Sequence, residues 1–326
     1  MSIRRLRTLA GLAATALALT ACGGSDGDGG GAGGGAEDPY TIGVSFYSNV
    51  IPLYVEMQEG MEDKAEELGA ELIFAYADNN AENQANQINS FVTQGVDIIL
   101  ASPVDAVALA PAYREARSAG IPIISVANKL QDESLEDAYI GPNLVDQAAR
   151  TMERVAEGMG GSGQLLQVTG PPQIAFVQAQ MEGWESVLAD YPDIQVVDTV
   201  AVSDLSTAGA LDATASALAA NPGVTGIIAS NDDVALGAIQ AVEAAGIAPE
   251  DIFIAGWDGS DAALEAIREG TYDVTLGQRP YTWGQIAVQT AVDWLDGERP
   301  EEHRVSTPEV FIDQENVDTL TEEEIR

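Results

Sequence analysis

The sequence predicts an α/β protein built as two doubly wound parallel-sheet lobes in tandem. Three observations carry this expectation. From about Tyr40 onward, short apolar runs alternate strictly with amphipathic helical segments. The runs are nearly continuous in apolar character, the pattern of parallel strands covered by helices on both faces. A second round of the same alternation begins after Gly141-Pro142. About 285 residues are involved, a length comfortable for two domains.

The first round opens with Tyr40-Thr41-Ile42-Gly43-Val44-Ser45-Phe46, a strand-type run. Residues 53–68 then read as a helix, with Val55, Met57, Met61, Ala65 and Leu68 near helical spacing and Gly69 as its stop. Residues 71–76 form the next strand, 82–94 a helix closed by Gly95, and 97–101 a fully apolar strand. A helix over 106–119, closed by Gly120, leads to a strand over 121–126. The second round reads as a helix over 144–158, a strand over 164–168, a helix over 176–190 and a strand over 194–201. It continues with a helix over 207–220, a strand over 226–230, a helix over 233–245 and a strand over 252–255.

Open α/β sheets bind ligands in the crevice outside the carboxyl ends of their strands. The residues just beyond each strand are therefore informative. The first strand delivers Tyr47-Ser48-Asn49, the third Ser102-Pro103-Val104-Asp105, and the fourth Asn128. A Gly-Pro-Pro loop after Val168 leads to Phe176 and Gln178. Later strands deliver Ser230-Asn231-Asp232-Asp233, Gly256-Trp257-Asp258-Gly259 and Gly277-Gln278-Arg279-Pro280. Amides, hydroxyls and carboxylates dominate. Planar amides and carboxylates match pairs of adjacent hydroxyls, donating to one and accepting from another. Asp258 and Asn231 also have simpler readings as helix caps, Tyr54 and Trp257 as packing residues, and Trp184 as a structural residue on a helix face.

The N-terminus reads as a processing signal. Arg4, Arg5 and Arg7 precede an apolar run over 9–19, too short for a permanent membrane span. The run ends in Leu19-Thr20-Ala21-Cys22, which resembles the lipobox of bacterial lipoproteins. That resemblance implies cleavage of residues 1–21, acylation of Cys22 and attachment to a membrane through lipid alone. Residues 22–39 form a Gly-rich linker, and its sixteen residues from 23 to 38 have an r.m.s. reach of about 20–25 Å.

Cys22 is the single cysteine, so once it is lipidated neither a disulfide nor a thiolate metal site is expected. Removing residues 1–21 takes away three arginines and no acid, leaving 11 basic against 52 acidic residues, a net charge of about −41. A field of that sign repels nucleic acid and anionic lipid headgroups. Only two lysines occur, Lys64 and Lys129, and this composition resembles that of proteins from salt-loving organisms.

Enzymatic readings find little support. His303, the only histidine, lies in a polar segment near the end and reads as a surface residue. No cysteine nucleophile or Ser–His arrangement is on offer. Gly158-Met159-Gly160-Gly161-Ser162-Gly163 precedes a strand instead of following one, so it is a turn and not a nucleotide loop. Abundant acids leave a carboxylate-pair hydrolase open on composition alone. No cofactor is expected.

Several strings, in order and at matching spacing, resemble the type I periplasmic binding protein family typified by the ribose-binding protein. They are Thr41-Ile42-Gly43-Val44 with Pro52, Gly95-Val96-Asp97-Ile98-Ile99-Leu100 with Ser102-Pro103, and Ala119-Gly120-Ile121-Pro122-Ile123. Asn231-Asp232 with Ala235-Leu236-Gly237-Ala238 and Gly256-Trp257-Asp258-Gly259 continue the match. The resemblance covers about 40–320. It implies two flavodoxin-like or Rossmann-like lobes joined by a three-segment hinge, a monomer, and a sugar or polyol receptor that serves an ABC transporter permease. A chemosensing receptor of the same fold is the alternative. A transcriptional regulator shares the fold but would need a basic headpiece that a lipobox and an acidic body contradict. Crossovers are expected near 141–144, 278–280 and 309–312. The lobes are then 40–142 plus 280–309, and 143–279 plus 310–326.

Carried over position by position, the resemblance places Tyr47, Leu53, Tyr54, Ser102 and Asn128 on the first wall of a ligand cleft. Phe176, Gln178, Leu205, Asn231, Asp258 and Gln278 fall on the second wall and hinge. Asn231, Asp258 and Gln278 keep the residue types of the ribose pattern. Ala127-Asn128 and Gln178 stand where that pattern has arginines, and Leu53 and Leu205 stand where it has aromatic ring-stackers. A neutral ligand is the consequence, a polyol, a deoxy sugar or a small cyclic compound, with ribose itself put in doubt and left open.

Overall fold

The computed structural model describes residues 39–325; the expected signal peptide, Cys22 and the Gly-rich linker lie outside the described residues. Two six-stranded sheets are formed. The first is built from β1 (Thr41–Phe46), β2 (Glu71–Tyr76), β3 (Ile98–Ala101), β4 (Ile123–Val126), β5 (Ala138–Gly141) and β11 (Arg304–Ser306), in the order β11-β5-β4-β3-β1-β2. The second is built from β6 (Gly163–Thr169), β7 (Ile194–Ala201), β8 (Val224–Ala229), β9 (Phe253–Asp258), β10 (Val274–Gly277) and β12 (Val310–Asp313), in the order β12-β10-β9-β8-β6-β7. All pairings are parallel except β10 with β12. The two orders are the same pattern, with the strand order reversing beside β1 in one sheet and beside β6 in the other.

Parallel neighbours require crossover connections, and helices supply most of them; β4 and β5 are joined instead by residues 127–137, with one short 3-10 turn at Glu133–Leu135. In the first round the helices are α1 (Pro52–Leu68), α2 (Ala81–Gln94) and α3 (Ala110–Ser118). The second sheet is covered by α4 (Leu144–Gly158), α5 (Ala175–Leu188), α6 (Thr207–Ala220), α7 (Asp232–Ala244) and α8 (Asp261–Glu269). Local chemistry sets their ends. Pro52 opens α1, and Gly69 closes it in the left-handed region at φ 70°, returning its N–H to Ala65 and Glu66 carbonyls. Asn80, Ser206, Asn231 and Ser260 cap the starts of α2, α6, α7 and α8 with side-chain oxygens. The start expected at 106 for α3 is displaced to Ala110, because Asp105 accepts from the N–H groups of Val107 and Ala108 and holds a separate turn first. Gly158 to Gly163 is the helix-to-strand turn that the sequence suggested.

The chain passes between the sheets three times: from β5 to α4, from β10 into α9 (Pro280–Leu295), and from β11 to β12. Helix α9 returns to the first sheet and packs on α1. There the backbones touch: a Cβ on Gly60 would sit 1.9 Å from the Tyr281 carbonyl oxygen, and one on Gly284 would sit 2.0 Å from that of Met57. Gly183 of α5 meets the Val145 carbonyl of α4 in the same manner, and Gly237 of α7 meets that of Thr207 at the start of α6. At the third passage Glu309 pairs with Arg150 and accepts from Gln147 at 2.7 Å, while Arg154 reaches Asp313 at 2.5 Å. These α4 side chains fasten the returning segment to the second sheet.

Replacing Gly60 or Gly284 with Ala is expected to destabilise the protein by about 1–3 kcal/mol, since backbone and not a yielding side chain fills the space. Denaturant unfolding of the two variants measures it, and a wild-type midpoint would contradict the contact.

Candidate ligand-binding site

The strand ends bring the expected residues together in two sets. On the first sheet, Tyr54 is buried and its ring stacks on Tyr47, with centroids 5.7 Å apart and planes 5° apart. Its hydroxyl accepts from Ser102 Oγ at 3.1 Å and from Asn128 Nδ2 at 3.1 Å. Burial outweighs these bonds and pushes the phenol above its ordinary range. With two accepted bonds, the Tyr54 proton is left to point elsewhere. Tyr47 donates to Asn79 Oδ1 at 2.6 Å. Leu53 is half-buried against the first-sheet core. Gln84, buried on α2, fixes this wall by donating to the Ser45 and Ser102 carbonyls and accepting from Val104 N–H.

The second set surrounds a cavity of about 310 Å³ lined by Leu144, Phe176, Gln180, Leu205, Ser230, Asn231, Trp257, Asp258 and Gln278. No lysine or arginine is among them, and none comes from the first sheet. Of the residues the sequence assigns to the second wall, Phe176, Leu205, Asn231, Asp258 and Gln278 line this cavity. Asn231 does two jobs, lining the cavity and capping α7 through a bond from Val234 N–H at 3.0 Å. Asp258 is not the cap of α8, because Ser260 is. Trp257 lines the cavity while nearly all of it packs into the second-sheet core, and Trp184 is wholly core.

Gln178 is the correction. Its side chain is exposed and donates to the Pro172 carbonyl at 3.0 Å, away from the cavity, and Gln180 takes the wall instead. The cause is helical phase. Helix α5 begins at Ala175, so Phe176 and Gln180, four apart, share a face, while a residue two along points nearly opposite. Gln180 is buried and donates to the Ser230 carbonyl at 2.8 Å. That spacing is available in the sequence once Phe176 is chosen. Sequence reasoning also misses Leu144, Ser230 and Trp257 as lining residues; the first two border strand ends, and Trp257 reads there as packing alone.

Backbone strain gathers at the same edges. Among the described residues, the non-glycine residues with positive φ are Asp78, Asn79, Ala127, Leu205, Asp258 and Arg279, all at or just beyond strand carboxyl ends. Asp258 is the furthest from ordinary geometry at φ 124°. Each such residue costs about 1–3 kcal/mol and persists only where surroundings enforce it. Burial, then the neighbouring Asp232 and Asp233 carboxylates, push the Asp258 carboxyl well above the usual carboxylate range. Its side chain is still open to the cleft. It lines the open cavity, and water there tempers the shift.

Elsewhere, His303 sits 3.5 Å from the buried Glu136 carboxylate and remains largely exposed. Among the described residues no group of three or more His, Cys, Asp or Glu is arranged to hold a metal, and no helix is long and apolar enough to cross a membrane.

Two sheets of matching strand order, with amides, hydroxyls and the Asp258 carboxyl gathered at their strand ends, are the architecture of a two-lobed solute-binding protein. Residues 42–299 match the family described as "Periplasmic binding protein domain", and the chain belongs to that family, whose members bind solutes without turning them over. It is 32% identical over 270 residues to the xylitol-binding protein of Mycolicibacterium smegmatis, covering 82% of this chain and 74% of that one. It superposes on the periplasmic ribose ABC transporter protein of Conexibacter woesei with a TM-score of 0.81 at 30% identity, covering 88% and 95% of the two chains. A solute-binding protein of Bacillus halodurans holding myo-inositol gives a TM-score of 0.73 at 28% identity, covering 87% and 98%.

The sign of the Asp258 shift has a measurable consequence. An unfolded Asp titrates at about 3.9, and the folded group titrates higher, so the folded state holds the proton more tightly. Its stabilising contribution is complete below about pH 4 and is lost as pH rises through the folded pKa. Ligand-free Asp258→Asn is therefore expected to melt above wild type at pH 7, with the gap closing toward pH 4. A variant melting at or below wild type at pH 7 would overturn the electrostatic account of this wall.

Proposed function

We propose that the chain is an extracytoplasmic solute-binding lipoprotein of an ABC importer, capturing a small neutral polyhydroxylated solute between its lobes for a membrane permease. The observation that carries this reading is the cavity wall. Asp258, Asn231 and Gln278 line it together with apolar Phe176, Leu205 and Trp257, and no cationic side chain is among the lining residues. A carboxylate and two amides suit vicinal hydroxyls, while the missing cation gives an anionic ligand no partner. The apolar groups cover the carbon skeleton. Relatives named for xylitol, ribose and myo-inositol support the same chemical class.

Capture proceeds by hinge closure. The lobes are 40–142 plus 280–309, and 143–279 plus 310–326, and closure brings Tyr47, Tyr54, Ser102 and Asn128 onto the second-lobe cavity. The Tyr54 proton, left over after its two accepted bonds, then meets a ligand oxygen. Buried polar groups on both walls make each hydroxyl count, because an analogue lacking one leaves its partner unsatisfied. Cys22 carries the lipid that holds the receptor to the membrane, and the receptor acts as a monomer.

A thermal-shift panel of xylitol, ribose, myo-inositol, deoxy sugars, amino acids and nucleosides tests the ligand class. A cognate solute at a hundredfold excess over its dissociation constant stabilises by about 2.7 kcal/mol. Shifts confined to amino acids or nucleosides would refute the polyol reading. For the solute that binds, Asp258→Ala is expected to weaken affinity ten- to a hundredfold, the loss of a charge-assisted hydrogen bond of about 1.5–3 kcal/mol; unchanged affinity removes Asp258 from the site. Independently, Cys22→Ser is expected to move the protein from the membrane fraction to the soluble one, and retention on the membrane would remove the lipid anchor from the reading.

A further inference from the structure

Behind the cavity wall lies a carboxylate with no ligand to touch. Asp232 follows Asn231 directly, but its side chain turns inward and is 1% exposed. Its two oxygens accept three hydrogen bonds: Oδ2 from Ser260 N–H at 2.7 Å, and Oδ1 from Thr275 Oγ1 at 2.7 Å and Tyr272 OH at 2.9 Å. Thr275 in turn accepts from Gly259 N–H at 3.3 Å. Both amides that come after Asp258 are thereby tied to one buried group, directly or through a single hydroxyl. The turn they belong to is the strained one. Asp258 holds φ 124°, and Gly259 comes next at φ 81° with its Cβ position 2.9 Å from Gly277 Cα. The Asp258 carbonyl also accepts from Gln278 N–H at 3.3 Å, so the same turn sets the start of the second crossover.

A buried carboxylate is expensive unless its lone pairs are filled. Here burial pushes the Asp232 carboxyl up while the bonds from Ser260, Thr275 and Tyr272 pull it back. Capping α7 does not need it, since Asn231 does that. Nor does solubility, since the side chain is inside. Resting on the ligand site proposed above, we infer that Asp232 is a positioning residue: it enforces the strained 258–260 turn and so holds Asp258 and Gln278 in the cavity wall. Asn231 faces the ligand and Asp232 faces the machinery behind it, two successive residues at one strand end serving opposite sides of one wall.

The experiment compares the full chain as wild type, Asp232→Ala, Thr275→Val and Ile267→Val. Ile267 is buried in the same second-lobe core and shares no hydrogen bond with Asp232, Gly259, Ser260, Tyr272 or Thr275, so it controls for lost core packing. Amide hydrogen exchange at Gly259 and Ser260 is read relative to the Ile227 amide in the sheet, without ligand. Asp232→Ala is expected to speed exchange at both by tenfold or more, and Thr275→Val to do so at Gly259, while Ile267→Val leaves the ratios within twofold. With xylitol as the probe, calorimetry is expected to show a tenfold or greater loss of affinity in Asp232→Ala and Thr275→Val and none in Ile267→Val, although all three melt below wild type. Unchanged exchange ratios in both site variants would overturn the proposal, as would unchanged xylitol affinity where exchange has quickened. If wild type fails to bind xylitol, that failure belongs to the ligand reading, and the exchange ratios alone decide whether Asp232 holds the turn. If Asp232→Ala does not fold, Thr275→Val carries the same two readings.

Discussion

Parallel strand pairing is the constraint on which the rest of this structure depends. Two parallel neighbours cannot be joined by a tight turn, so each connection must cross over, and here α-helices do so for all but β4 and β5, which an irregular segment over 127–137 joins. Every parallel strand in a sheet therefore ends on the same edge. All loops that leave those strand ends are gathered there, whatever their distance in sequence, and the order β2-β1-β3 opens a crevice where the winding reverses. Tyr47, Ser102 and Asn128 meet for this reason in one lobe, and Asn231, Asp258 and Gln278 in the other.

Close helix packing gives those edges a rigid foundation. At Gly60 and Gly284 the backbones of α1 and α9 are in direct contact, which brings a late segment of the chain back onto the first sheet. The second sheet receives its own late segment differently, through the ion pairs of Arg150 and Arg154 with Glu309 and Asp313. One lobe thus closes by apolar contact and the other partly by charge. On so acidic a chain, the cations committed to this attachment mark the third passage as a place where the fold concentrates its scarce positive charge. Strain sits in the strand-end turns, at Ala127, Leu205, Asp258 and Arg279. Leu205 and Asp258 among them line the cavity, and Arg279 adjoins the lining residue Gln278.

Much of this is legible in the sequence. Periodicity separates strands from helices, Gly69 and Gly95 mark helix ends, and the restart after Gly141-Pro142 announces two lobes. Asn231, Asp258 and Gln278, which line the cavity, are legible as strand-end residues because open α/β folds gather their loops there. Less legible are the short strands at β5, β11 and β12, each of three or four residues, whose pairing depends on neighbours far away in sequence. The choice of Gln178 over Gln180 fails on a two-residue question. Sequence resemblance aligns positions along the chain, whereas the direction of a side chain depends on where the helix starts and how it rotates against the sheet.

What the sequence determined by itself was the alternation, and with it the class of fold and the edge on which ligand groups collect. Local propensity and hydrophobic spacing suffice for that, because each apolar run must be buried and only a covered parallel sheet buries all of them. The tertiary structure decided which side chains at that edge face the cavity and which face inward. Asn231 and Asp232 are neighbours of similar chemistry, yet one lines the cavity and the other is sealed behind it. Their separation arises from the extended backbone of Asn231, which caps α7 before the helix begins at Asp232, and from donors on β10 and the turn before α8, groups that only folding brings within hydrogen-bond reach.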